Sequence, residues 1–188
     1  ANAQKVVIAY RDNTNSNYGT AIVGTVSGTS ITFGTAVVYH ADATNYSSIV
    51  YDENAQKVVI AYQDDNDSNK GTAIVGTVSG TGISFGSPTV FDTDNAFINT
   101  VYDANAQKIV ISYRDGGNSD YGTAIVGTVS GTNISFGSPT VFAASNTFIN
   151  DIVYDSTAQK VVVAYRNYTA SDAGTAVVGT VSGPSISF

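Results

Sequence analysis

The sequence contains no cysteine, methionine, tryptophan or leucine. Without cysteine the chain forms no disulfide bond and offers neither a thiolate nucleophile nor a thiolate ligand for a metal. Catalysis that begins at a cysteine, and structural zinc sites built on cysteine, are therefore excluded.

Charged residues are few and mostly acidic. Lysine and arginine total 8, against 15 aspartates and glutamates, and the formal net charge of the 188 residues is −7. The basic residues are spread one or two to a repeat, so no basic stripe is available for nucleic acid or for an anionic membrane. Apolar runs reach only about five residues, far fewer than the roughly 20 that a membrane-spanning helix needs. We expect neither nucleic-acid binding nor membrane insertion.

The apolar residues that are present favour β-structure. Val, Ile, Ala, Tyr and Phe dominate the 43% hydrophobic content. Val, Ile, Thr, Tyr and Phe suit a pleated, half-buried surface, whereas the missing Leu and Met favour helices. With 18 glycines available for turns, the composition predicts an all-β protein.

Internal repeats organise the whole chain. The phrase Gln-Lys-(Val/Ile)-Val begins at Gln4, Gln56, Gln107 and Gln159, at offsets of 52, 51 and 52 residues. The phrase Gly-Thr-Ala-(Ile/Val)-Val-Gly-Thr-Val-Ser-Gly and a shorter Ile-(Ser/Thr)-Phe phrase recur with the same period. We place the repeats at 1–39 (partial), 46–91, 97–142 and 148–188 (partial), in one domain or a segment of one.

Each repeat predicts four strands. In the third repeat they are Ile98–Tyr102, Lys108–Arg114, Thr123–Val129 and Ile134–Phe142, the last bent at Gly137-Ser138-Pro139, and a linker at Ala143–Thr147 leads to the next repeat. Four hairpin-connected strands in about 52 residues match one blade of a β-propeller. We therefore predict a β-propeller of four-stranded antiparallel blades.

The first repeat lacks its first strand and the last stops within its fourth. Exposed strand edges and blade faces would invite association. We expect other copies of the chain, or the rest of a longer chain, to complete the ring.

The loop after the second strand carries the candidate binding residues. Ser and Gly hold fixed positions in all four copies, and Asn or Asp follows the Ser. A structural turn explains this pattern, since Ser, Asn and Asp bond to nearby amides and Gly permits positive φ. As a binding loop, it offers aromatic faces that stack on sugars beside hydrogen-bonding groups. The candidates are Asp12, Asn17, Tyr18, Asp64, Asn69, Asp115, Asp120, Tyr121, Tyr168 and Asp172.

Calcium is another interpretation of the same loop. Asp65, Asp67 and Asn69 alternate as oxygen ligands can, and Ca²⁺ takes six to eight oxygens. The glycine falls one place late for an EF-hand loop, the closing Glu is absent, and the other copies lose most of these carboxylates. No other cofactor is expected.

Further acidic and basic residues also recur with the repeat. Asp52, Asp103 and Asp155 begin turns or form a ring of carboxylates at a channel mouth. Asp12, Asp64 and Asp115 are candidates for a second acidic ring, with Arg11, Arg114 and Arg166 as their partners. Such Arg–Asp neighbours form structural ion pairs more often than a substrate clamp. His40 occurs once and is read as a surface histidine, since no serine or carboxylate recurs at a fixed distance to build a triad.

Ser119-Asp120-Tyr121-Gly122-Thr123 resembles the Asp-box of sialidase-like propellers, with a tighter spacing and no closing aromatic. In that family the box is structural, so the resemblance implies a fold. The phrase at Gly122–Gly131 is similar to repeats in uncharacterised propeller proteins of marine bacteria and their phages. That resemblance implies adhesion, receptor binding or a place on a virion.

The sequence thus predicts a non-enzymatic binding or structural protein that recognises a glycan or surface receptor. An extracellular, cell-surface or virion location fits its acidic surface, rich in Thr, Ser and Asn. The alternatives are a sialidase-like glycoside hydrolase, which needs two suitably spaced carboxylates, and a self-assembling scaffold.

Overall fold

The computed structural model describes residues 5–188, with the side chains of 149 and 150 left out. The repeat anchor Gln4 and the start of the predicted repeat 1–39 lie outside the described residues. Sixteen β-strands and two 3₁₀ turns, but no α-helix, form from residue 5 onward. The all-β prediction is confirmed. No helix in this part of the chain is long and apolar enough to cross a membrane.

The strands alternate with short turns along the chain. They are β1 Lys5–Asp12, β2 Tyr18–Ser27, β3 Ser30–Phe33, β4 Val37–Asp52, β5 Lys57–Asp64, β6 Lys70–Ser79, β7 Gly82–Phe85, β8 Thr89–Asp92, β9 Asn95–Asp103, β10 Lys108–Asp115, β11 Tyr121–Ser130, β12 Asn133–Phe136, β13 Thr140–Asp155, β14 Lys160–Asn167, β15 Ala173–Ser182 and β16 Ser185–Ser187. The 3₁₀ turns are Gly116–Asn118 and Tyr168–Ala170.

The strands form two curled antiparallel sheets, β1 to β8 and β9 to β16. The long strands β4 and β13 each pair with two neighbours. The first part of β13 pairs with β11 and its second part pairs with β14, with irregular register between them. Strand β4 does the same between β2 and β5.

The four predicted strands of the third repeat correspond to β9, β10, β11, and β12 with the start of β13. The fourth strand is interrupted at residues 137–139, where the bend was predicted, and both of its parts pair with β11. The predicted linker at Ala143–Thr147 is wrong. Ala143 pairs with Gly122 on β11, and Thr147 pairs with Asn167 on β14. The segment is therefore part of strand β13, which changes its pairing partner here.

We call each group of four strand positions a unit. The first unit ends within β4, the second unit runs from there to β8, the third unit runs from β9 to the start of β13, and the fourth unit follows. The hairpin between the third and fourth strands of each unit, such as β11 and β12, has a two-residue turn whose first residue is glycine. At Gly131 the φ angle is +62°, as a type II′ turn requires.

Successive units pack face to face through apolar side chains. One buried cluster joins Val59 and Val75 of the second unit to Ile109, Ile111 and Tyr113 of the third unit. Similar clusters join the first unit to the second and the third to the fourth. Because both faces of the second and third units are covered, their central strands are buried on nearly every residue.

An aromatic cluster repeats at every junction between units. Tyr39 contacts Tyr62 and Phe85, with ring centroids 5.2 and 5.9 Å away. Phe91 contacts Tyr113 and Phe136, and Phe142 contacts Tyr165 and Phe188, at 5.3 and 5.6 Å in both cases. These tilted pairs add to the energy of apolar burial and fix the same relative placement of units at each junction.

The first strands of neighbouring units also lie together. The hydroxyls of Ser48 on β4 and Thr100 on β9 are 2.9 Å apart, and the Ser48 oxygen accepts a hydrogen bond from the Thr100 amide. Ser48 corresponds to Asn99 in the next repeat, so Thr100 lies one residue further along the equivalent strand. Because these strands begin beside one another, the loops of neighbouring units lie along one edge of the stacked units. We call this edge the loop edge of the stack.

Candidate functional site

The predicted loop after the second strand of each unit is a turn with two consecutive left-handed residues. Ser119 and Asp120 have φ of +58° and +61°, and the equivalent Ser-Asn or Ser-Asp pairs adopt the same conformation in the other three loops. Asn and Asp tolerate this region better than other residues with a side chain. The recurring Ser-Asx pair is therefore explained by backbone geometry.

The fixed glycine of this loop has a different role from the one predicted. The φ of Gly122 is not positive, but a Cβ placed there would lie 2.4 Å from the Phe142 ring. Gly19 and Gly71 lie just as close to Tyr39 and Phe91. Glycine is needed because the aromatic ring of each junction packs directly on the backbone.

In the first, second and fourth units the side chain that starts the loop holds the turn. Asp12 accepts hydrogen bonds from the amide and hydroxyl of Thr14, at 3.0 and 2.6 Å, and the Thr14 hydroxyl holds the pKa of Asp12 below its usual value. Asn167 accepts a hydrogen bond from the Ala170 amide at 3.3 Å. Asp64 accepts one from the Asn66 amide, also at 3.3 Å.

The arginines pair with a different carboxylate from the one expected. Nε of Arg114 lies 3.1 Å from Asp120, and an Arg166 nitrogen lies 2.8 Å from Asp172. In both units the partner is the left-handed residue of the same loop, and the Asp172 hydrogen bond raises the pKa of Arg166. Arg11 instead crosses to the next unit, where it bonds to Asn45 and lies 3.6 Å from Asp65.

A row of aromatic rings runs along the loop edge of the stack. Tyr46 and Phe97 occupy the same position in the second and third units, and Phe148 lies one position earlier in the fourth unit. Neighbouring ring centroids in this row are 5.0 and 5.8 Å apart. Tyr168 continues the row 6.0 Å beyond Phe148. The Arg114 guanidinium lies over both Phe97 and Phe148, at 5.5 and 5.1 Å.

Sequence reasoning named Tyr168 but missed the other three rings of this row. The signal that could have found it is an aromatic residue recurring every 51 residues at 46, 97 and 148. Tyr46 and Phe97 have positive φ, +47° and +54°, where the first strand of the unit bulges. A bulge re-aims a side chain, so strand periodicity alone gives no indication of where these rings point.

A polar groove of about 500 Å³ lies between the loops of the second and third units. Its volume falls in the range of small-molecule sites. Tyr46 supplies an aromatic surface, and Arg114 supplies a cation. The remaining lining residues are Asn45, Gln63, Asp65, Asn69, Asp94, Asn95, Ala96, Gly116 and Asp120.

Two of the ten predicted binding residues, Asn69 and Asp120, line this groove, and so does the calcium candidate Asp65. Asp12, Asn17, Tyr18, Asp64, Asp115, Tyr121, Tyr168 and Asp172 do not line it. Tyr168 is 57% exposed, whereas Tyr18 and Tyr121 are only partly exposed.

The calcium candidates have separate partners. Asp65 accepts hydrogen bonds from the Asn45 amide at 2.7 Å, and Asp67 forms an ion pair with Lys70 at 2.7 Å. Over residues 5–188 no group of three or more His, Asp or Glu side chains is arranged to hold a metal ion.

His40 is a packed residue, and its interpretation as a surface histidine is wrong. Its ring lies 5.0 Å from that of Tyr62, whose hydroxyl is 3.2 Å from Nδ1, and Nε2 lies 3.0 Å from Asp64. The side chain is 19% exposed. It sits at the junction of the first and second units because β4 carries it against the last residue of β5.

The equivalent place in the next junction holds two carboxylates, Asp92 and Asp115. Burial, together with the charge of Asp115, raises the pKa of Asp92 to about 6, and burial raises the pKa of Asp115 too. At the third junction the corresponding residues are Ala143 and Asn167. This position therefore differs in charge at each of the three junctions.

Asp52, Asp103 and Asp155 hold the turn between the first two strands of their units. Asp103 is 2% exposed and accepts a hydrogen bond from the Ala106 amide at 2.8 Å. Asp52 and Asp155 do the same for Ala55 and Ala158. The sequence analysis offered two roles for these aspartates, turn formation and a ring of carboxylates, and their contacts support turn formation.

No protein-family model, curated protein or solved structure matches the chain.

Proposed function

We propose that the chain is a non-enzymatic, β-propeller-type repeat module that binds glycans through the groove at its loop edge. The carrying observation is the groove itself, which combines the exposed face of Tyr46 with amide, carboxylate and guanidinium groups. Sugar rings present apolar faces and hydroxyl groups together, and a site of this composition satisfies both.

The face-to-face packing of four-stranded antiparallel units supports the propeller architecture. The same faces meet at each junction, and the first strands of neighbouring units lie side by side, as innermost strands of blades do. The Ser-Asx turn and the repeated Gly122–Gly131 phrase add the resemblance to sialidase-like propellers and to the repeat proteins of marine bacteria and their phages. Those resemblances favour adhesion or receptor recognition at a cell or virion surface.

The local chemistry favours binding over hydrolysis. Of the three groove carboxylates, Asp65 and Asp120 are engaged with Asn45 and Arg114, so only Asp94 is left, without a partner that could be a second catalytic carboxylate. Asp92 and Asp115, whose pKa values are raised, do not line the groove and lie at a junction position whose counterparts are a His–Asp pair and an Ala–Asn pair. A sialidase-like hydrolase remains the alternative, and its test is release of sugar from a sialylated substrate.

The glycan proposal is tested on an oligosaccharide array followed by calorimetry on the strongest binder. Tyr46→Ala is expected to weaken that binding about tenfold or more, since stacked aromatic contacts carry much of the energy of such sites. Tyr51→Ala is the matched control. Tyr51 is similarly exposed on the same strand and does not line the groove. An array without binders, or equal losses in the two variants, contradicts the proposal.

The end units support a second, structural role. Ile8 of the first unit is 42% exposed and Val178 of the fourth is 54% exposed, although their counterparts at the junctions, such as Ile60 and Val75, are fully buried. The exposed face of the first unit is therefore of the kind that packs on the exposed face of the fourth. Another unit of the same type, in a second copy or in a longer chain, is the proposed partner.

Mixing two blocked variants tests this partner. Ile8→Asp and Val178→Asp each remove one face, so each variant alone is expected to remain monomeric in light scattering while an equimolar mixture forms a 1:1 dimer. A mixture that stays monomeric at concentrations where the unchanged chain self-associates contradicts head-to-tail contact.

A further inference from the structure

The groove lies between the second and third units, where one loop position differs from its counterparts. The residue that follows the loop-starting Asp or Asn is Asp65 in the second unit, Gly116 in the third and Tyr168 in the fourth. At the first junction Asp65 lies in a network with Asn45 and Arg11. At the third junction Tyr168 packs on Phe148. At the second junction Gly116 has no side chain, and the space is open.

The charge of the open groove is unbalanced. Its lining carries Asp65, Asp94 and Asp120 against the single cation Arg114. Asp120 is paired with Arg114, and Asp65 lies near Arg11. No salt bridge forms at Asp94 among the described side chains, and the nearby Asp92 and Asp115 add further negative charge.

The backbone fixes Asp94 at the mouth of the groove. The Gly116 amide donates a hydrogen bond to its carbonyl oxygen at 2.7 Å, and its own amide donates to the Asp92 carboxylate at 3.1 Å. Its carboxylate lies over Gly116, where a Cβ would be 2.7 Å away. The Asp94 carboxylate therefore lies at the edge of the open groove, above the backbone of Gly116.

Buried amide groups lie behind the mouth of the groove. Asn95 is 1% exposed, and its side chain interacts with the Asp92 carboxylate and helps to hold down the pKa of that group. Its amide oxygen has no hydrogen-bond donor within 5–188. A buried acceptor without a donor costs free energy that a bound hydroxyl would recover. Gln63 bonds to the Asn95 carbonyl and forms the adjoining wall.

We propose that this junction is a single binding site for a positively charged amino sugar. The ammonium group pairs with Asp94, the ring stacks on Tyr46, and a hydroxyl donates to the amide oxygen of Asn95. This inference rests on the proposed glycan-binding function and adds the ligand's charge and the site's position. Gly116 is the specificity-determining residue, because its counterparts fill the equivalent space.

Three oligosaccharides of equal length test the charge. Isothermal titration of the full chain with glucosamine tetraose, N-acetylglucosamine tetraose and galacturonic acid tetraose compares a cationic, a neutral and an anionic ligand. We expect affinity to fall in that order, with a stoichiometry near one. Anionic binding as tight as cationic binding, or no binding of the glucosamine tetraose, overturns the inference, and the separate glycan array still decides the proposed function.

Two substitutions test the residues. Gly116→Tyr copies the fourth unit, whose backbone already accepts Tyr at this first position of a 3₁₀ turn, and is expected to reduce glucosamine tetraose affinity at least tenfold. Asn118→Tyr adds the same side chain at an exposed place in the same loop and is expected to bind normally. Equal affinities in the two variants contradict the assigned site.

The charge of Asp94 is tested by Asp94→Asn. It is expected to weaken binding of the glucosamine tetraose about fivefold, as a partly exposed ion pair does, and to leave the neutral N-acetyl ligand unchanged. Equal changes for both ligands contradict the pairing. Thermal unfolding of each variant separates a lost contact from a lost fold.

Discussion

The imidazole Nε2 of His40 lies 3.0 Å from the Asp64 carboxylate, across the junction between the first and second units. One unit further along, Asp92 faces Asp115 in the same place. Otherwise near-identical junctions thus differ in the charge that they bury. The second junction combines this acidic pair with the open groove, whereas the first has an imidazole beside its carboxylate.

The acidic pair makes stability depend on pH. Burial and Asp115 raise the pKa of Asp92 from the unfolded value of 3.8 to about 6. The folded state therefore favours the protonated carboxyl, and this contribution is fully present below about pH 4 and is lost as pH rises through about 6. Asp92→Asn is expected to stabilise the chain at pH 7.5 by about 1 kcal/mol, a value reduced for the half-exposed site, and to change little at pH 4.

Chemical denaturation at the two pH values measures this effect. Asp92→His, which copies the first junction, should also stabilise at pH 7.5, because its imidazole can pair with Asp115. If Asp92→Asn has the same pH dependence as the unchanged chain, Asp92 is not the titrating group.

The glycine of the third loop is constrained by the ring beside it. Gly122→Ala places a Cβ 2.4 Å from a Phe142 carbon, and the overpacking is expected to lower the free energy of unfolding by about 2 kcal/mol. Gly174→Ala is a matched control, since a Cβ there meets nothing within 4 Å. Urea unfolding of both variants measures the difference, and equal losses would show that the ring moves aside without cost.

The aspartates that hold the turns allow a buried side chain to be compared with an exposed one. Asp103 is buried and Asp155 is exposed, yet each accepts the amide hydrogen bond three residues on. Asp103→Ala is expected to cost about 1–2 kcal/mol because it leaves the partly buried Ala106 amide unpaired, and Asp155→Ala about 0.5 kcal/mol because water can replace the carboxylate. Melting curves that shift equally for both variants would contradict a role for burial.

The repeat period and the composition were enough to predict the all-β class and the strands. The consecutive apolar residues Ile109, Val110 and Ile111 mark the strand Lys108–Arg114, and Pro139 marks a break in the fourth strand, since these features act within a few residues. The linker prediction at Ala143–Thr147 was wrong because its polar residues pair with β11 and β14, which no local pattern records. The propeller itself remains a prediction.

The candidate site was less accessible from the sequence. Asn69 and Asp120 were predicted because their loop recurs. Tyr46, Asp94 and Gly116 were missed because they meet only when two units pack together, and because Gly116 contributes by the side chain that it lacks. A pattern shared by all repeats does not reveal a position, such as 116, where one repeat differs from the others.

The repeated junction also bears on how the gene can change. Misalignment of the gene's repeats by one period would join Asp52 directly to Ala104, the residue that follows Asp103 in the next repeat. The two unit faces brought together in this way would already match. Each such event would lengthen or shorten the stack by a whole unit without a new junction having to evolve. The number of units can therefore change easily, whereas single substitutions such as those at positions 65, 116 and 168 make the units differ from one another.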